Sequence, residues 1–181
     1  PGPAVGKLVP KIRSMAKILY LMYMSLTVIE IIFLLAGGMD LFEALTITFG
    51  TAGTGGFGVR NSGCADYTTY QQVIIGVFMM LFGIDFSVYY LLLMRKFKEA
   101  FSSEEVRTYL GVIITATVII SLNCIRLFSG AAEALKEAFF QVASIITTTG
   151  YSTCDFDRWP ELSKTILVVL MFIGACAGST G

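Results

Sequence analysis

Histidine is absent from this 181-residue sequence, and charged residues make up only 14% of it. The chain therefore has no imidazole that could act as a general base, bind a metal ion or activate a serine or cysteine nucleophile. Its four cysteines include no Cys-x-x-Cys pair, which argues against a zinc site and a disulfide-rich scaffold. Thirteen basic residues balance thirteen acidic ones, so we expect no nucleic-acid partner.

Apolar residues are abundant and make up 55% of the sequence. A hydrocarbon core about 30 Å thick requires about 20 apolar residues in a helix. Stretches of this kind lie at residues 17–37, 70–94, 107–126 and from 164 onward. The sequence therefore predicts an all-α, multi-pass membrane protein that lies in a lipid bilayer.

Lysine and arginine are unevenly distributed between the predicted spans. They are concentrated in residues 7–17 and in the 95–107 loop, and an excess of these residues marks cytoplasmic segments. We therefore expect the N-terminus and the 95–107 loop to be cytoplasmic. The other two connecting segments then lie outside, where Cys64 and Cys154 could form a disulfide.

These two outer segments begin as short amphipathic helices and end as Thr/Gly-rich strings. The helical patterns cover residues 39–50 and 131–146, and each is too short to cross a bilayer. The strings, GTAGTGGFG and TTTGYS, read as neither helix nor strand. Their glycines permit backbone conformations that other residues resist.

The outer segments belong to an internal repeat. A shift of 94 residues aligns Thr54 with Thr148 and Gly56 with Gly150, and it aligns the first and second spans with the third and fourth. Each unit reads as a spanning helix, a short pore helix, a filter loop and a second spanning helix. We place the two units at residues 1–98 and 99–181, the second with a truncated inner helix.

With the N-terminus inside, each short helix must dip into the membrane and each string must climb back out. Backbone at this depth cannot face lipid, because its N–H and C=O groups would lack partners, so it must be buried or line a water-filled path. Backbone carbonyls can replace the water around a cation, and the C-terminal end of each short helix adds partial negative charge. The strings contain no carboxylate, which argues against an Asp/Glu ring.

The candidate cation ligands lie at the centre of both strings. They are Thr54, Gly55, Gly56, Thr148, Thr149 and Gly150. A Gly/Thr-rich loop at the membrane surface is the alternative, and the presence of two copies, each behind a short helix, argues against it. A ring of carbonyls needs about four loops, so we expect either that two chains pair or that this sequence is part of a longer one.

Two long motifs resemble a known family. The stretch AFFQVASIITTTGYSTCDFDRWP followed by FIGACAGSTG, and the stretch MDLFEALTITFGTAGTGGFG, resemble the third and second filter loops of the Trk/Ktr/HKT superfamily of potassium uptake proteins, most closely the TrkH/TrkG branch. The resemblance covers nearly the whole chain. It implies a potassium-channel-like pore of four repeats with pseudo-fourfold symmetry, of which this chain would hold the second and third.

The resemblance also carries expectations about cellular context. It implies inward K⁺ movement across the bacterial cytoplasmic (inner) membrane, with the filter mouth outside. It implies a homodimer that sits on a cytoplasmic ring of nucleotide-binding, TrkA-like regulatory subunits. It implies no covalent cofactor, since the potassium ion is the substrate.

Matched residue by residue, the resemblance makes Gly56 and Gly150 filter glycines, so that K⁺ is the metal ion held by the filter residues. In this superfamily a serine there accompanies Na⁺ permeation, so two glycines favour K⁺. The end of the sequence resembles a gating loop that breaks the third inner helix: Gly174, Ala175, Cys176, Ala177, Gly178, Ser179, Thr180 and Gly181. A helix-packing face is the alternative, because Gly174 and Gly178 have GxxxG spacing.

Two carboxylates, Glu30 and Asp85, fall inside the predicted spans. Such groups usually face a cavity or a partner, so function and structural pairing are both open for them. We expect potassium uptake without catalysis. The alternative is a cation-coupled transporter (K⁺/H⁺ or K⁺/Na⁺ symport) in which one of these carboxylates takes part. A membrane enzyme is a third class, and it lacks a visible base.

Overall fold

The structure is a computed structural model that describes residues 5–96, 98, 100, 102–176 and 179. Its helices are α1 (Val5–Ala36), α2 (Leu41–Ala52), α3 (Thr69–Phe82), α4 (Phe86–Leu93), α5 (Glu104–Cys124), α6 (Ala131–Ile146) and α7 (Glu161–Ile173). Two 3₁₀ turns, Ile125–Leu127 and Phe156–Arg158, follow α5 and precede α7. Every regular element in this described part is helical, which confirms the all-α prediction.

Two helical segments are long and apolar enough to cross a membrane. They are Ala16–Ala36 within α1 and Glu104–Leu127, which joins α5 to its 3₁₀ turn. Large apolar side chains on α1, among them Leu21, Ile32 and Phe33, are exposed. Exposure of this kind fits a helix that faces lipid, so the membrane prediction is supported at both spans.

The span predicted over residues 70–94 is not one continuous helix, because α3 and α4 meet at an angle of 90°. α3 ends with Gly83 as its C-cap, and α4 begins after Asp85. The Asp85 side chain accepts a hydrogen bond from the Ser87 backbone N–H at 2.8 Å, as an N-cap residue does. Asp85 therefore lies at a helix start inside the predicted span.

Tyrosine hydroxyls support the break between α3 and α4. The Tyr109 hydroxyl donates to Met80 O (3.2 Å), and the Tyr89 hydroxyl donates to Leu81 O (2.7 Å). These bonds add side-chain donors to carbonyls in the last turn of α3, which otherwise accept from the Gly83 and Ile84 N–H groups at the break. A Cβ on Gly83 would lie 2.3 Å from the Tyr109 hydroxyl, so the close approach requires glycine there.

The two short helices form where the sequence predicts them. α6 has the predicted bounds, and α2 begins and ends two residues later than predicted. The Asp40 side chain caps α2 by accepting from the Phe42 N–H at 3.0 Å. Both short helices pack against neighbouring helices: α2 against α1 and α3, and α6 against α3, α5 and α7.

Among the described residues, the two largest of four buried clusters hold most of the helices together. The first joins α5, α6 and α7 through residues that include Ile113, Val142 and Leu167. The second joins α1, α2 and α3 to α6, with Ile47 and Phe140 inside it. Because this second cluster takes residues from both repeats, the repeats share a core. The boundary placed between residues 98 and 99 stays a prediction, since residues 97 and 99 lie outside the described part.

Candidate functional site

Each short helix ends in a loop, and the two loops begin in the same way. We call residues 53–58 the first loop and residues 147–152 the second loop. The Gly53 N–H donates to Phe49 O (2.9 Å), and the Thr147 N–H donates to Ala143 O (3.2 Å). These bonds are 94 residues apart in the sequence, so both short helices close with the same turn.

The backbone conformation inside the loops also repeats. Thr54 has φ +49° and Thr148 has φ +57°, while Gly56 has φ +66° and Gly150 has φ +87°. The residue between each pair is not in the left-handed region, so the handedness alternates along the chain. This alternation allows consecutive carbonyl oxygens to line one side of a loop, as a carbonyl cation site requires.

Backbone amides in the loops are directed back to the short helices. The Gly55 N–H donates to Gly50 O (2.7 Å), and the Thr149 N–H donates to Ser144 O (3.0 Å). The two donors are again equivalent in the repeat, as are the two acceptors. The loops therefore satisfy these N–H groups within the protein, as backbone at membrane depth must.

The two loops touch each other. A Cβ on Gly56 would lie only 2.1 Å from Thr149 O, so glycine is what allows this approach. Farther along the chain, the Cys64 N–H donates to Ser152 O at 2.8 Å. The structure thus brings the predicted ligands of both repeats, residues 54–56 and 148–150, into neighbouring segments.

Tyr151 connects the second loop to the first repeat. Its hydroxyl lies 3.1 Å from both Ile47 O and Phe57 O, which share its single proton. Gly50 makes room for this hydroxyl, since a Cβ there would lie 2.1 Å from it. Tyr151 is 3% exposed, whereas the equivalent Phe57 is 80% exposed in this chain, so within these residues the contact is made by Tyr151.

Glu30 lies on α1, fully buried behind α2. The polar side chain beside its carboxyl group is Thr51, whose hydroxyl donates to Ile47 O (2.9 Å). Among the described residues, none makes a well-formed hydrogen bond to either carboxyl oxygen of Glu30. This residue therefore contacts the back of a short helix, one element away from the loops.

The segment predicted as a gating loop follows the end of α7. α7 ends at Ile173 and Gly174 has φ +71°, so Gly174 is not part of a helical packing face. The Cys176 N–H donates to Gly83 O (3.1 Å), and the Ser179 hydroxyl donates to Cys176 O (2.6 Å). The segment therefore touches the break between α3 and α4, close to Asp85. Predicted members outside the described residues are Ala177, Gly178, Thr180 and Gly181.

A cavity of about 580 Å³ lies against both loops, with Gly56, Arg60, Ser152 and Asp155 among its lining residues. The positive charge of Arg60 is paired there. Its guanidinium donates to both carboxylate oxygens of Glu43 (2.8 and 3.0 Å), and this hydrogen bonding raises the pKa of Arg60. A cationic side chain next to the loops is thus neutralised by its partner.

Cys64 and Cys154 are both free thiols. Burial raises the pKa of each to about 12, and nearby Glu137 contributes at Cys154. Both thiols therefore stay protonated at neutral pH, where thiolate chemistry is slow.

Three features of the site were missed by sequence reasoning. Glu43 and Glu137 align in the repeat, but their contacts with Arg60 and Thr153 were not predicted. The contact made by the Tyr151 hydroxyl was not predicted, because Phe57 and Tyr151 align in the repeat as one aromatic position. The helix break had a signal in Gly83 and Asp85, since glycine followed by a capping residue marks one helix end and another start.

Spanning helices, two short helices and two matching loops define a helical membrane protein built from repeated re-entrant units. The family model described as "TrkH: Cation transport protein" matches residues 4–181. The chain therefore belongs to the TrkH family of cation transport proteins, and the resemblance seen in the motifs is confirmed.

Named relatives agree with this assignment. The chain is 37% identical over 187 residues to the Trk system potassium uptake protein TrkH of Escherichia coli K12, covering 100% of this chain and 38% of the relative. It is 33% identical over 186 residues to TrkH of Halomonas elongata, with coverage of 100% and 38%. It is 26% identical over 184 residues to TrkG of Escherichia coli K12, with coverage of 99% and 38%. The chain thus spans about two fifths of the length of these relatives.

The fold agrees as well. The crystal structure of the potassium transporter TrkH from Vibrio parahaemolyticus superposes with a TM-score of 0.88 at 28% sequence identity. The match covers 95% of this chain and 38% of that one. The repeated architecture is therefore one already seen in a transport protein.

Proposed function

We propose that this chain forms part of a pore for potassium uptake, in which the two loops bind K⁺ through backbone carbonyls. The TrkH and TrkG relatives are named potassium uptake proteins. The observation that carries the proposal is the pair of touching loops with the same alternating backbone, each at the C-terminal end of a short helix. Carbonyl oxygens and helix C-termini both favour a cation that has shed its water.

In this proposal K⁺ is cargo, and no bond is made or broken, so the protein is not an enzyme. The ligands are the carbonyl oxygens of residues 54–56 and 148–150, with the threonine hydroxyls as further oxygen sources. Two loops supply two sides of a ring. We propose that the remaining sides come from equivalent repeats arranged with pseudo-fourfold symmetry, and that two such pores pair as a homodimer.

The membrane and its partners belong to the same proposal. The basic residues of the 95–107 loop face the cytoplasm, where a TrkA-like nucleotide-binding subunit would attach. The loops open to the outside of the bacterial cytoplasmic membrane. The segment at 174–181 is the gate, and the bond from the Cys176 N–H to Gly83 O supports a resting position for it against the α3–α4 break.

A substitution of Gly150 tests the ion assignment. Gly150 has φ +87°, and no atom lies within 4 Å of the position that a Cβ would take, so Gly150→Ser strains the loop without a collision. We expect the K⁺/Na⁺ permeability ratio to fall about tenfold, since each ~1.4 kcal/mol of lost differential binding is a factor of ten. The measurement is a reversal potential in the protein as it occurs in its membrane, with all its segments and subunits.

Gly130→Ser is the matched control. Gly130 is the N-cap of α6, has open space around it and an extended φ of 174°, and serine is favoured at an N-cap. Its permeability ratio should equal that of the unchanged protein. If Gly150→Ser also leaves the ratio unchanged, the carbonyl site does not lie in these loops.

Coupled transport is the second candidate because Glu30 is a buried carboxyl group beside Thr51. In that case Glu30 would bind and release a proton during transport. A current that persists at the K⁺ equilibrium potential and vanishes in Glu30→Gln would favour it. A current that reverses at the K⁺ equilibrium potential supports the pore.

A further inference from the structure

A carboxylate stands at the same position on both short helices. Glu43 on α2 and Glu137 on α6 are 94 residues apart, the offset that relates the two loops. Neither carboxylate is an unpaired charge, because each forms an ion pair with a basic side chain. The question is what these two groups hold in place.

In the first repeat, Glu43 holds the chain that leaves the first loop. Arg60 Nε donates to Glu43 Oε1 at 2.8 Å and Arg60 Nη2 donates to Oε2 at 3.0 Å. Arg60 comes four residues after Gly56. Its guanidinium also lies 4.7 Å from the centre of the Tyr67 ring. The paired geometry fixes both distance and orientation, as a two-pronged arginine–carboxylate contact does.

In the second repeat, Glu137 holds the equivalent stretch of chain by different chemistry. The hydroxyl of Thr153, three residues after Gly150, donates to Glu137 Oε2. Lys136 Nζ lies 2.8 Å from Glu137 Oε1. Glu137 is only 5% exposed, so its two oxygens are bonded within the protein and away from water.

This second contact continues into the first repeat. Lys136 Nζ donates to Gln72 Oε1 at 2.7 Å, and Gln72 Nε2 donates to Cys64 O at 2.9 Å. The chain that leaves the first loop is therefore tied, through Gln72 and Lys136, to the carboxylate that holds the second loop. A shift of the Glu137 side chain would therefore disturb the segments that follow both loops.

Each loop is thus fixed at two ends. At its start, the loop amides bond to the last turn of the short helix. At its finish, the carboxylate on the side of that helix holds the departing chain. We infer that Glu43 and Glu137 are positioning residues that set the spacing of the loop carbonyls and hence the preference for K⁺ over Na⁺. This inference rests on the proposed function.

The two positions should differ in weight. The Glu43–Arg60 pair is partly exposed, with side-chain exposures of 17% and 38%, and pairs of this kind contribute little. Glu137 is buried, and breaking a buried charged contact leaves its partners uncompensated. Removing the charge of Glu137 should therefore change selectivity more than removing that of Glu43.

The test compares Glu137→Gln, Thr153→Val and Glu43→Gln in the protein as it occurs in its membrane, with unchanged protein and Gly150→Ser alongside. The reversal potential gives the K⁺/Na⁺ permeability ratio. We expect a fall of about threefold to tenfold for Glu137→Gln and Thr153→Val, and a smaller fall for Glu43→Gln, in keeping with the energies of charged and exposed contacts.

Glu133→Gln is the control on the same helix. Glu133 lies one turn before Glu137, is exposed, and accepts from the Ser129 N–H rather than from the loop exit (3.0 Å). It should keep the ratio of the unchanged protein. The double exchange Glu43→Arg with Arg60→Glu should restore the ratio that either single exchange lowers, which assigns the effect to this pair.

The outcomes separate the two ideas. Should Thr153→Val and Glu137→Gln match Glu133→Gln while Gly150→Ser still lowers the ratio, the positioning role is wrong and the pore stands. If Glu137→Gln does not reach the membrane, the isosteric Thr153→Val decides alone. If the unchanged protein shows no K⁺ preference, the proposed function is wrong and the positioning role is wrong with it.

Discussion

At the scale of single residues, two threonines are the unusual feature of the site. Thr54 and Thr148 both have positive φ, a region that β-branched residues rarely occupy and that costs on the order of 1–3 kcal/mol. The strain occurs at equivalent positions of two repeats, so the surrounding contacts must impose it twice. Sequence reasoning predicted the glycines that flank this conformation. It could not predict left-handed threonine, because threonine alone disfavours it.

The two loop glycines, Gly56 and Gly150, should respond differently to alanine. Both have positive φ, so each substitution costs about 1 kcal/mol in backbone strain. Gly56→Ala adds a collision, because its Cβ would lie 2.1 Å from Thr149 O, while Gly150 has open space. Thermal unfolding in detergent should therefore show a larger loss of stability for Gly56→Ala. Equal losses would mean that the two loops do not touch as described.

At the scale of elements, the break between α3 and α4 is the main departure from prediction. An apolar stretch of about 25 residues fits one spanning helix by length alone, and the sequence does not show what lies beside it. The break is contacted by Tyr89 from α4 itself, and by Tyr109 and Cys176 from elsewhere in the fold. Contacts between distant segments of this kind have no local signature.

The role of Asp85 can be separated into cap and charge. Its side chain accepts from the Ser87 N–H, and asparagine caps a helix about as well as aspartate, whereas alanine costs about 1 kcal/mol. We expect Asp85→Asn to keep both stability and rubidium uptake, and Asp85→Ala to lower stability. The measurements are thermal unfolding and tracer flux in vesicles.

Asp85→Ser serves as a second capping control, since serine is also a good N-cap. Loss of uptake in both Asp85→Asn and Asp85→Ser, with stability retained, would contradict the capping role. That result would favour an ionisable carboxyl group in transport.

At the scale of the whole molecule, repeat, helix content and family were all readable from the sequence. The offset of 94 residues anticipated the equivalent turns at both loops, because the same glycine and threonine positions recur. The way in which the repeats pack was not readable. Phe140 lies in a cluster with Ile47 of the other repeat, and a pattern within one repeat says nothing about its neighbour.

The proposed orientation predicts which side of the membrane each connection faces. Asn61 and Ser102 are both exposed, and they lie on opposite sides in the topology. In a variant whose four cysteines are replaced by serine, Asn61→Cys should react with an impermeant maleimide in right-side-out vesicles. Ser102→Cys should react only in inside-out vesicles.

The unchanged protein, which keeps its native thiols, serves as a comparison for this labelling. The pKa of Cys154, raised to about 12, keeps its thiolate fraction small at pH 7, so it should react slowly and faster as the pH rises. Labelling of both positions from the same side would overturn the orientation.

One oxygen atom distinguishes Tyr151 from Phe57, and the matching change on the opposite wall is Gly50, which stands where the other repeat has Ser144. If the two halves arose by gene duplication, their sequences have since diverged in a matched way. The second half has the tyrosine hydroxyl, and the first half has a glycine whose missing side chain leaves space for it. A copy transplanted from one half into the other would lose this bridge. Recombination that made the halves identical again would therefore damage the protein.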